Sequence, residues 1–217
     1  MKFLPWIGPD FGNSNDQGIP PRLLVVGESH YGEWDDDGLT AIAVENHITE
    51  EWNVKFMTSI QNAILGGMGE IAGEDRTDFY NAIAFYNFIQ DMVPNPNTRP
   101  IDEMFECGTK SFLSCLDSVQ PTHIVVFGFT VWDYLPEEGF SSCSKLEQDI
   151  LKHLPSKYRH NEGHFDRGWI GQYEYSGGTA LVMKCRHASR GFSPKQWHPA
   201  IRWFLQINRL DMNRDES

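Results

Sequence analysis

Four consecutive apolar residues, Leu23 to Val26, run into Gly27 and then into Glu28, Ser29, His30 and Tyr31. A strand apolar at every position belongs in a sheet interior, and a polar loop at its end is how such a strand delivers functional groups to a surface. The pattern recurs. HIVVF (123–127) meets Gly128, and TALVMKC (179–185) meets Arg186, His187 and Ser189. FYNAIAFYNFIQ (79–90) is aromatic and alternating, which predicts a further strand with Asn87 and Gln90 near its end, closed by Pro94, Pro96 and Pro100.

Between these runs the apolar spacing is helical. The stretch from about Thr40 to Leu65 predicts one or two helices, 101–119 another, and short helices follow near 130–135 and 145–153. Pro194 opens a last helix through about Asn208. Strands alternating with helices demand a parallel sheet with right-handed crossovers. Trp169 to Tyr175 reads as a short edge strand, 1–21 as an irregular arm, 22–210 as one α/β domain and 211–217 as a polar tail. Ligands of open parallel sheets bind beyond the strand carboxyl ends, so Ser29 to Tyr31, Asn87 and His187 to Ser189 are expected to converge there.

Composition narrows the function. At 217 residues, 40% apolar and 13% aromatic, the chain can bury one sizeable core. Its formal charge of −12, from 30 acidic against 18 basic residues, repels polyanions at long range and leaves only a local basic stripe for nucleic acid. The four cysteines form no CxxC pair, so neither zinc nor an iron-sulfur cluster is expected, and reduced thiols point to the cytoplasm. The start of the chain has no long apolar segment of a signal peptide, and no run is long enough to span a membrane. Asp35 to Asp37 reads as a solvated loop tip, and His153, His160 and His164 as loop histidines rather than metal ligands.

The order of motifs resembles the uracil-DNA glycosylase superfamily. LLVVGESHYGEWDD is similar to its first motif, of the GEAPG or GQDPYH type; RHASRGFS (186–193) is similar to the second, usually HPS; FYNFIQDMVPNPNTRP and THIVVFGFTVWDYL resemble the segments between them. The resemblance implies a three-layer α/β/α fold with a central four-stranded parallel sheet. It also implies a monofunctional hydrolase that cleaves the N-glycosidic bond of uracil or a related damaged base flipped out of DNA. No cofactor or metal is implied, and a monomer is expected. A free nucleobase or nucleotide, bound without hydrolysis, is the alternative ligand.

By the same resemblance His187 donates a hydrogen bond to the base carbonyl as charge builds there, and Asn87 reads the base edge. Gly27, Glu28, Tyr31 and Ser189 shape the pocket. Ser29 stands where one branch of the superfamily has a carboxylate, and can only place water. His30 replaces the usual Pro and offers either a second imidazole near neutral pH or a backbone-bonded loop residue. Arg186, Arg190 and Lys195 form a basic patch for phosphates, while Phe192 either wedges into a strand gap or packs under a helix.

Overall fold

The apolar runs form the centre of one sheet. The computed structural model of the chain describes residues 1–33, 36–52, 54–69, 73–159, 167–189 and 191–207. Its strands are β1 (Trp6–Ile7), β2 (Leu23–Gly27), β3 (His30–Tyr31), β4 (Ala84–Asn87), β5 (Met92–Val93), β6 (His123–Phe127), β7 (Phe140–Ser142), β8 (Ile170–Tyr175) and β9 (Gly178–Cys185). The helices are α1 (Leu39–Ile48), α2 (Lys55–Leu65), α3 (Gly73–Ala82), α4 (Asp102–Val119), α5 (Phe129–Tyr134), α6 (Ser144–Ile150) and α7 (Pro194–Leu205).

The main sheet has the order β1-β4-β2-β6-β9-β8-β7. Strands β4, β2, β6 and β9 run parallel to their neighbours in that group. The sheet is nonetheless larger than the expected four strands, and mixed. From the arm, β1 adds antiparallel to β4. Beyond β9, the turn at Ser176–Gly177 folds β8 back as a hairpin, which forces antiparallel pairing, and β7 adds outside it. Ile170 to Tyr175 is therefore an inner strand.

The pleat sends alternate residues of the central strands into two cores. Leu23, Val25, Val125, Phe127, Leu181 and Met183 pack with Met57, Ile60 and Ile64 of α2 and Trp197, Ile201 and Phe204 of α7. Leu24, Val26, Ile124, Val126 and Val182 pack with Phe105, Phe112 and Leu116 of α4 and with Trp132 of α5. Helices thus cover both faces. Each buried Leu, Val or Phe contributes roughly 1.5–3 kcal/mol, so the two cores outweigh any polar contact in fixing the strand ends.

The strand expected from Phe79 starts later, for a physical reason. Phe79 to Ala82 finish α3 instead of starting a strand, because Phe79 and Tyr80 bury fully on one helical face while Trp6 Nε1 donates to the Tyr80 carbonyl at 2.8 Å. Tertiary burial overrides their aromatic strand preference. In β9, Lys184 is fully buried with Nζ 4.6 Å from the Trp169 ring centroid and 5.5 Å from that of Trp132. Burial draws its pKa down to about 7, against the pull of Asp133 and Glu147.

All four cysteines are free; Cys115 and Cys185 are buried and Cys107 is exposed. Among the described residues no helix is long and apolar enough to cross a membrane, and no three His, Cys, Asp or Glu side chains group as metal ligands. His153 stacks on Trp203 at 5.2 Å. Asp35, His160 and His164 lie outside the described residues, as do 208–217.

Candidate functional site

Gly27 keeps its strand pairing opposite Asn87 and makes no sharp turn. Its lack of a side chain serves clearance: a Cβ there would lie 2.4 Å from Asn87 Oδ1 and 3.2 Å from the Phe85 ring. The pairing continues past both strands, since Phe88 N–H donates to the Gly27 carbonyl and Ile89 N–H to that of Glu28. The loop after β2 then closes against the loop after β4 as the small parallel sheet β3–β5. Gln90 ties the arm to this corner. Its amide donates to the Asn87 carbonyl, and its oxygen accepts from the Lys2 and Phe3 backbone N–H groups.

These constraints converge Glu28, Ser29, His30, Tyr31, Asn87, His187 and Ser189 on one cavity of about 880 Å³ at the carboxyl ends of β2, β4 and β9. That volume falls within the roughly 300–1,000 Å³ of small-molecule sites. Phe56, Met57 and Phe85 supply apolar wall, and Glu28 is its one carboxylate among the described lining residues.

The two imidazoles of the cavity differ. His30 is 6% exposed, packs edge-on against Phe3, and bonds Thr40 Oγ1 at 3.0 Å. Asn87 Nδ2 lies 3.3 Å from its ring nitrogens; with the ring proton on Nε2, His30 donates to Thr40 and accepts from Asn87 at Nδ1. Burial pulls the His30 pKa down to about 4, which favours the neutral ring near pH 7. The ring also holds the Asn87 amide beside it. His187 lies two residues past β9, its ring 4.9 Å from that of Phe56, and its imidazole has no hydrogen-bond partner among the described residues. Burial lowers its pKa as well.

Asn87 is also 6% exposed, and with its nitrogen on His30 its Oδ1 has no partner among the described residues. Ser29 Oγ is buried without a partner; the Tyr31 hydroxyl approaches it but stops short of hydrogen-bonding geometry. Burial raises the pKa of Glu28, and the charge of Arg99 opposes that shift.

Of the basic residues expected to meet phosphates, Arg186 and Lys195 do not line this cavity. Arg186 turns toward the Tyr158 hydroxyl, 3.2 Å from Nη1. Lys195, in the first turn of α7, lines a separate groove with Lys152, Lys157 and Arg159. Phe192 packs against Phe127 and stacks on Trp197, so its ring belongs to the core and not to a wedge. Arg190 lies outside the described residues. The cations that do line the cavity are Lys55, at the start of α2, and Arg99, in the proline-rich loop. Neither carries a strand-end signal that would have marked it in the sequence. No family model matches the chain, and a comparison with curated proteins finds no significant match.

Proposed function

We propose that the cavity receives a nucleobase and that the chain is a uracil-DNA glycosylase-like hydrolase of base excision. The observation that carries this reading is the meeting of Asn87, His187 and the Glu28–Tyr31 loop in one cavity at the ends of parallel strands. The parallel group β4-β2-β6-β9, with helices on both faces, supports a glycosylase-like fold.

In this mechanism the target nucleotide leaves the duplex stack, because its glycosidic carbon is out of reach inside it. Asn87 Oδ1 accepts from the ring N–H that uracil has and cytosine lacks, and His30 holds the amide in that sense. Neutral His187 donates its ring N–H to the base carbonyl oxygen, where charge gathers as the bond breaks. Glu28, the one carboxylate among the described lining residues, is assigned the water. It orients water against C1′ and accepts the water proton, while the bonding electrons leave with the base.

A second reading, binding of a nucleobase or nucleotide without hydrolysis, is favoured by Arg186 and Lys195 standing away from the cavity. One assay tests both. Single- and double-stranded oligonucleotides carrying uracil or hypoxanthine are incubated with the protein and treated with alkali. Abasic sites that disappear in His187→Ala support hydrolysis. Binding of the free base with no abasic sites supports the second reading, and neither result would remove both.

A further inference from the structure

Residues 2–4 of the arm are not among the residues that line the cavity, yet they touch each segment that builds the His30–Asn87 pair. The Phe3 ring is fully buried and sits edge-on to His30 at 5.2 Å. Leu4 N–H donates to the Asp37 carbonyl at 2.9 Å, just before α1, whose Thr40 bonds the His30 ring. The Lys2 and Phe3 N–H groups donate to Gln90 Oε1 at 2.8 and 3.0 Å, and Gln90 Nε2 donates to the Asn87 carbonyl at 3.0 Å. Gln90 is itself buried, so two main-chain donors on its oxygen fix which way its amide faces: the nitrogen must meet Asn87. A side chain without both an acceptor and a donor would leave buried main-chain groups unpaired here. Packing alone would need only Phe3. The hydrogen bonds through Gln90 join the arm to one residue of the site and not to the core.

We infer that Phe3 and Gln90 are positioning residues of the cavity: residues 2–4 brace the His30 ring and the Asn87 main chain from behind, and seating of this brace and occupation of the cavity favour each other. The brace is attached by a few backbone hydrogen bonds and one ring, and Leu4 beside it is exposed, so it opens more readily than the central strands. When it opens, His30 loses the ring packed on it and Asn87 loses the tie on its carbonyl. A ligand that needs Asn87 in place binds the seated form better, and by linkage it must then hold the brace down. The choice of ligand rests on the nucleobase reading of the cavity; the brace itself does not.

Solvent exchange of the His30 Nε2 proton, followed by NMR on the full chain, tests the brace without any ligand. Phe3→Ala and Gln90→Leu should speed that exchange at least about tenfold, as expected when one buried contact is lost. Phe3→Leu, which keeps the buried volume, should restore the native rate. Val119→Ala is the control, because Val119 is buried at the other end of the sheet, where Arg22 bonds its carbonyl ahead of β2. It should lower the melting temperature and leave the His30 proton as it is. A proton unmoved in both Phe3→Ala and Gln90→Leu, or moved equally by Val119→Ala, would overturn the brace. The coupling is read with uracil. Saturating uracil should slow exchange of the Lys2 and Phe3 amides, and Phe3→Ala and Gln90→Leu should bind it more weakly than Val119→Ala does. Uracil bound with those amides unmoved would overturn the coupling. Failure of the native chain to bind uracil would count against the base reading, and the His30 measurement then decides on the brace alone.

Discussion

His30 and His187 line the same cavity, and burial lowers the pKa of both, yet the fold treats them differently. His30 spends its ring nitrogens on Thr40 and Asn87 and is packed under Phe3. His187 rests on Phe56 by one face, with neither ring nitrogen bonded among the described residues. An imidazole whose polar atoms are committed holds a neighbour in place. One whose polar atoms are uncommitted is available to a ligand.

That contrast breaks most readily on activity. His187→Ala should lower the rate of base release by about 10²–10³-fold, the usual cost of one donor at developing charge, with little change in melting temperature. His30→Ala should instead unfold more easily, by about 1–3 kcal/mol in denaturant titration, because Thr40 and Asn87 lose a buried partner. Equal losses of stability in the two variants would erase the distinction.

Gly27→Ala probes the same network from the strand side. Its Cβ would sit 2.4 Å from Asn87 Oδ1, so Asn87 must move. We expect a destabilisation of about 1–3 kcal/mol, typical of overpacking, together with weaker base binding in calorimetry. Unchanged affinity would show that Asn87 does not read the base.

The smallest effect lies in acid. The folded pKa of His30 is depressed from 6.5 to about 4, so between those values the unfolded chain binds more protons and stability falls as pH drops. His47 is depressed over the same range by burial and by Arg76, so His30→Gln should flatten the acid limb of a stability profile only in part. An unaltered limb would mean that His30 is not buried as described.

The central strands were legible because a Val- and Leu-rich run buried on both faces has few other uses. The outer strands were not. β1 and β7 are two and three residues long, and neither carries a pattern of its own; pairing with β4 and β8 makes them strands. In the site, residues just past apolar strands converged as expected. What those residues bond to depended on packing: Asn87 meets His30 from 57 positions away. Arg186, Phe192 and Lys195, within ten positions of one another, take separate partners as the chain turns into α7, which the sequence did not reveal. Lys55 and Arg99 come from unrelated segments, and only the fold joins them.

The most direct test follows the histidine ring nitrogens by NMR while uracil or deoxyuridine is titrated into labelled protein at pH 7. The account predicts that the His187 resonances shift as its ring N–H engages the base carbonyl, while His30 keeps the spectrum of a neutral, Nε2-protonated ring throughout. A His187 spectrum unmoved at saturating ligand, or a ligand shift centred on His30 alone, would contradict it.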